Sequence, residues 1–255
     1  RNSLTLANGI VVNKGNSQWQ FTPGTQSIAM VGGTGSATIN NAGGILFAGV
    51  GGAGTLNIGS GVILQGYGSL SQSSLSSIVN NGSIISNTAG QTFTINPNVF
   101  TNNGSLSATA GILNLSGATV TNSASGTINY AAGTTGTINP LNFSSAGGIT
   151  MNGTTLTLAP TTSYVNTGTM ALNTGTITLG GVFAFSELSN INNTRAGGVV
   201  INLSGTMDMA SGTLNLDTGV FGGVLDILSG TLQNGTLTGS TLTSSSGTLD
   251  GMTLG

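Results

Sequence analysis

The sequence predicts an all-β chain wound as a right-handed parallel β-helix, a β-solenoid, with coils of about 20–22 residues. Three observations carry that prediction. First, one phrase returns: Ile78-Val79-Asn80-Asn81-Gly82-Ser83-Ile84, then Phe100-Thr101-Asn102-Asn103-Gly104-Ser105-Leu106, then Val120-Thr121-Asn122-Ser123-Ala124-Ser125-Gly126-Thr127-Ile128. Its glycines stand at 82, 104 and 126, an even step of 22. Second, polar and apolar residues alternate with period two between the turns, as in Thr92-Phe93-Thr94-Ile95-Asn96 and Leu113-Asn114-Leu115. That is the pattern of half-buried strands, and no window sustains helical spacing. Third, the alternation keeps its phase from one period to the next: Thr155-Leu156-Thr157-Leu158 returns as Thr176-Ile177-Thr178-Leu179. An antiparallel meander would alternate too, but it has no reason to bring one residue type back to one place each period. A coil does, because every position stacks on its equivalent about 4.8 Å away. Parallel crossovers are nearly always right-handed, which sets the expected hand.

Residues 1–77 read as an irregular form of the coil. Ser3-Leu4-Thr5-Leu6 and Gly54-Thr55-Leu56-Asn57-Ile58 supply inward pairs, and Asn8-Gly9 and Gly32-Gly33 supply turns. Trp19 and Phe21 form another alternating pair, read as core or end-cap packing in preference to a sugar-stacking platform. The apolar run bracketed by Gly43-Gly44 and Gly51-Gly52 is expected to be covered on both faces or to lie at an intermolecular contact.

Residues 78–227 are the regular repeats, clearest up to 138 and looser beyond. Asn80, Asn102 and Asn122 are expected to stack as an amide ladder of the kind seen in cross-β assemblies. Gly82, Gly104 and Gly126 mark the corners beside it, with Asn tolerating the left-handed conformation that an Asn-Gly corner is expected to need. Asn190 to Arg195, beside Glu187, reads as a protruding polar loop in which a lone Glu near a lone Arg makes a weak surface pair. Residues 228–255 change step: Leu232, Leu237 and Leu242 are five apart, as are Leu249 and Leu254, and Thr precedes each. This partly resembles a pentapeptide-type solenoid, with short-step coils.

Composition narrows the function classes. Only 3% of residues are charged, against about a quarter in ordinary domains, and the net charge is −2. No basic face exists to attract nucleic acid or anionic lipid. Cysteine and histidine are both absent, so there is neither a disulfide framework nor a Cys/His metal site, and no cofactor is expected. The longest apolar run, Ile45 to Val50, is too short to span a bilayer, so membrane insertion is not expected. The chain opens on Arg1 with no basic-then-apolar leader, which reads as a processed or excised piece.

Chemistry is sparse. Asp208, Asp217 and Asp226 are spaced nine apart, as in nonapeptide calcium repeats, but the accompanying glycines are missing. They read as surface or turn carboxylates. The eight charged residues are scattered, with no clustered carboxylates and no activated nucleophile, so no catalytic residue is assigned. Thr-x-Thr pairs, the signature of water-ordering faces, occur at 92/94, 155/157, 176/178, 236/238 and 241/243. Only the 155 and 176 pairs lie one coil apart, and Gly197 in the next coil ends the run.

The stretch Thr94-Ile95-Asn96-Pro97-Asn98-Val99-Phe100-Thr101-Asn102-Asn103-Gly104-Ser105-Leu106-Ser107-Ala108-Thr109-Ala110-Gly111-Ile112-Leu113-Asn114-Leu115-Ser116-Gly117 resembles bacterial β-strand-repeat surface proteins. These are secreted chains of the autotransporter-passenger and filamentous haemagglutinin-like adhesin type. The likeness is close over 78–180 and stylistic over 40–255. It implies an extracellular or cell-surface, non-enzymatic rod in adhesion, biofilm or a filament, with surface glycans as partners. A polysaccharide-binding or polysaccharide-cleaving β-helix is the alternative. Neither end of the chain carries a charged, proline-rich or helical cover for its strand edges. The expectation is end-to-end self-association through Leu4, Leu6, Leu249 and Leu254, or continuation in a longer polypeptide.

Overall fold

The computed structural model describes residues 2–193, 198–223, 225–240 and 242–255. The chain forms a parallel β-solenoid with coils of roughly 22 residues. One turn shows the plan. Ser77–Asn80 lies on the first face, Ser83–Ser86 on the second and Thr92–Asn96 on the third; Val99–Asn102 then returns to the first. Successive coils pair in parallel and in register. Asn102 lies between Asn80 and Asn122, Leu106 between Ile84 and Ile128, and Leu115 between Ile95 and Ile138.

The period-two alternation makes this core. In each four-residue strand the second and fourth side chains point to the axis and the others outward. On the first face the inward column runs Ile78, Phe100, Val120, Phe143 and Tyr164, all essentially inaccessible to solvent. Its aromatics stack along the rod: Phe143 and Tyr164 lie 5.9 Å apart and nearly parallel, and Phe183 meets Tyr164 edge-on at 5.3 Å. Such contacts add about 0.5–1.5 kcal/mol beyond area burial. Elsewhere volume is traded between faces. Gly136 sits between Leu113 and Leu156, and the space its missing side chain leaves is filled by the ring of Tyr130 from the second face.

Burial pushes the Tyr130 hydroxyl, which donates to the Leu113 carbonyl at 3.3 Å, well above its ordinary value of 10.0. Tyr164 is raised for the same first reason, with the charge of Glu187 adding to it. In both, the folded state keeps a proton that the unfolded state releases above pH 10, so stability is intact below that pH and falls as pH climbs through it. We expect the melting temperature to drop above about pH 10, each tyrosine costing on the order of 1 kcal/mol per pH unit. Tyr130→Phe should shrink that slope. Circular-dichroism melts from neutral to strongly alkaline pH check this, and an unchanged slope in Tyr130→Phe would refute it.

The ends of the chain depart from the regular coil. Near the start the step lengthens, with Leu4 stacked on Ile28 and Thr25 on Thr55. Two long strands, Ala37–Ala48 and Val62–Gln72, carry the chain across a corner without a break. Within the first, Leu46 and Ala48 are inward, while Ile45 and Phe47 point out and are half-buried, so this apolar run is covered on one face and not on both. Near the other end the five-residue step separates adjacent faces of a shorter coil. Leu232 and Leu237 lie on adjacent faces; Leu249 pairs with Leu232 and Leu254 with Leu237, which makes that coil shorter than those of the regular repeats. Leu249 and Leu254 thus stand over the buried Leu232 and Leu237, and Leu242 packs partly buried against the core. Of the polar segment expected to protrude, Ile191–Asn193 is a strand on Met170–Leu172, and 194–197, including Arg195, lie outside the described residues.

Candidate functional site

The residues singled out by the repeat come together along one corner of the rod. The Asn80 amide donates to Asn102 Oδ1 at 2.8 Å, and Asn102 donates to Asn122 Oδ1 at 2.8 Å. The ladder passes on to the Ser145 hydroxyl at 3.1 Å. All three asparagines are fully buried. Each Nδ2 also reaches a carbonyl one coil on: Ser105 for Asn80, Thr127 for Asn102 and Gly148 for Asn122. Buried amides must be satisfied, and here each one satisfies its neighbour, at about 1 kcal/mol net per bond. The steps between rungs are 22, 20 and 23 residues, so the chain absorbs length changes in the loops and keeps the corner in line.

Beside this ladder runs a column of glycines. Gly82, Gly104 and Gly126 lie on one line, extended by Gly59 below and by Gly147 and Gly168 above. Their role differs from the one the Asn-Gly pairing points to. None of these corner glycines, nor Asn80, Asn81, Asn102 or Asn103, has a positive φ. The corner needs absence of a Cβ, because the backbone ladder continues through it. The carbonyls of Gly82, Gly104 and Gly126 accept N–H donors from Ser105, Thr127 and Gly148. A Cβ on Gly104, Gly147 or Gly168 would collide with the glycine carbonyl one coil below. A second column, Gly181, Gly205 and Gly230 above Pro160, repeats the arrangement at another corner. The sequence signal for it was weak because Gly appears in so many other contexts. Left-handed glycines, such as Gly133 and Gly153 with φ of 76° and 61°, serve the loops between the second and third faces instead.

The outward surface is almost wholly neutral. On the third face Thr135/Thr137, Thr155/Thr157 and Thr176/Thr178 stack as three consecutive rungs, flanked by Ile112/Asn114 and Val200/Asn202. Fixed-step counting misses the first of these rungs and puts Gly197, which lies outside the described residues, where Val200 stands. Outer amides also bond along the rod: Asn40 to Asn13 and Gln65 to Asn40, each at 2.8 Å, and Asn103 to Asn81 at 2.9 Å.

The aspartates tie coils together. Asp208 accepts from the Ala210 N–H at 2.9 Å and from Gln233 and Asn234 one coil on, which lowers its pKa, the backbone bond contributing most. Asp217 is lowered chiefly by the Ser240 hydroxyl at 2.7 Å and then by the Ser240 N–H. Asp226 stacks between Asn202 and Thr243. Among the described residues no three Asp or Glu side chains gather into a metal-binding group.

The two ends expose the apolar axis. At one, Leu4, Leu6, Trp19 and Phe21 line a cavity of about 300 Å³. Leu6 is buried, and Trp19 packs at this end as a partial lid. At the other, Leu216, Leu237, Leu242, Leu249 and Leu254 line a cavity of about 200 Å³, Leu254 being 70% exposed. Among the described residues no helix is long and apolar enough to cross a membrane.

One group escaped the sequence reading. Lys14 is buried at 6% exposure, its Nζ bonded to Asn41 Oδ1 at 2.9 Å and to the Ser17 carbonyl. Its parity with Val12, the inward-leaning residue of that strand, was the available signal. Comparison with known proteins finds no matching family model, no matching curated protein and no matching solved structure.

Proposed function

We propose that the chain is a non-enzymatic structural rod of a bacterial cell surface, forming part of an adhesin stalk or a self-associating filament. The in-register stacking of the middle coils carries this reading: from Ser77 to Asn166 one inward column continues from rung to rung, with an amide ladder and a glycine column beside it. Such a body is stiff along its axis and extends by adding coils, which suits a spacer or a fibre. The apolar cavities at its two ends give each terminal rung a surface that another rung would cover, whether from a second copy or from further coils of the same polypeptide. A glycan-binding role is the second reading, favoured by the three-rung hydroxyl array on the third face.

Negative-stain microscopy of the purified protein tests the first reading. Long uniform fibres support the filament and single short rods the stalk, whereas compact particles with no rod axis would overturn both. Depletion on polysaccharide beads that free glycan reverses would favour the second reading instead.

A further inference from the structure

Lys14 is the only lysine in the chain, and it occupies an irregularity in the pairing of Val11–Gly15 with Ala37–Ala48. Asn13 pairs with Asn40 and Gly15 with Asn41, so Lys14 is the extra residue of a bulge. Its side chain enters the coil. There the Nζ meets Asn41 Oδ1 at 2.9 Å and the Ser17 carbonyl, with the Trp19 ring centroid 5.9 Å away. Asn41 is itself 2% exposed and held from its other side, its Nδ2 donating to the carbonyls of Gly44 at 2.9 Å and Tyr67 at 2.7 Å. The amide therefore presents its carbonyl end to the lysine and nowhere else. Gly44 completes the enclosure, since a Cβ there would overlap Lys14 Nζ and the Ser17 carbonyl.

A buried ammonium ordinarily has a carboxylate partner. Among the described residues this one has none: its two bonded partners are neutral oxygens, and every Asp and Glu of the chain lies at position 187 or later. An amine and a primary amide are thus confined together, shielded from water, on successive rungs.

We propose that Lys14 and Asn41 join in an intramolecular isopeptide bond. Lys14 Nζ, as the free amine, attacks Asn41 Cγ. The Nζ–Cγ bond forms, the Cγ–Nδ2 bond breaks, and Nδ2 departs as ammonia carrying a proton released by Nζ. An amine and a primary amide become a secondary amide and ammonia, with no change of oxidation state and no co-reactant. Desolvation lowers the lysine pKa from 10.5 to about 8, which raises the share of free amine near neutral pH. The product removes an unpaired charge from the interior and ties the first coils together across 27 residues. It restricts the unfolded chain as a disulfide would, in a protein that has no cysteine. The bond concerns the N-terminal coils alone and stands apart from whether the rod is a stalk or a filament.

Intact-mass spectrometry of the purified protein tests it. The expected mass is one ammonia below that of the sequence, with a branched peptide joining the segments around 14 and 41. After denaturation an amine-reactive label should find the α-amine only. Lys14→Met should abolish the loss, giving the full mass of its sequence, and melt at lower temperature. Ammonia lost through succinimide formation at an Asn-Gly pair is distinguished because it persists in Lys14→Met and leaves the ε-amine reactive. A full sequence mass with a labelled ε-amine, in protein held for days at about pH 9, overturns the proposal without recourse to any variant.

Discussion

Leu115→Asp unravels the middle of the rod. Leu115 is fully buried, seated between Ile95 and Ile138 in the third-face column. Truncating a buried Leu alone costs about 2–5 kcal/mol. A carboxylate there has no partner, so it must either stay charged at a further cost of several kcal/mol or take up a proton. In a solenoid each coil is stabilised by its neighbours, so the break extends from this rung to the coils on either side of it. The expected result is rapid proteolysis between about residues 90 and 140, the coils on either side of this rung. Ser107→Asp, which places the same charge on an outward side chain, should leave protease resistance unchanged. A Leu115→Asp protein as resistant as the parent would mean that this strand faces the other way.

Gly147→Ala and Gly148→Ala, neighbours in the chain, should have opposite outcomes. A Cβ on Gly147 would overlap the backbone carbonyls of Gly126 and Ser123, neither of which can swing aside as a side chain would. Relief requires opening the rung spacing, at about 1–3 kcal/mol or more. Gly148, inside the strand Gly148–Met151, would bring its Cβ no nearer than 3.8 Å to Thr169 Oγ1, and its φ is not left-handed. Alanine there should be neutral or stabilise by up to about 1 kcal/mol through lost unfolded-state freedom. Thermal melts of the two variants check this. Equal destabilisation would show that the glycine column is not held by backbone contact.

Much of this was legible beforehand. Alternation with period two identifies strands whatever their partners. A phrase that returns at an even step leaves a coil as the simplest way to bury each inward side chain on its own equivalent. Hence the Asn80, Asn102 and Asn122 positions could be named as a set from sequence alone. Less was legible where the coil length drifts. Thr135/Thr137 belongs under Thr155/Thr157, but that step is 20 residues, and a fixed count of 22 slides past it. The leucines five apart were legible as inward positions of a shorter coil, though the interval alone does not say which of them stack.

By itself, then, the sequence determined the strand class, the parallel stacking and which side chains face inward, because those follow from periodicity and hydrophobicity, which are local. Only the tertiary structure decided why the corner glycines are glycines and that Lys14 meets Asn41 inside the coil. Both depend on how closely two rungs approach, and that distance is set by backbone hydrogen bonds between positions far apart in the chain.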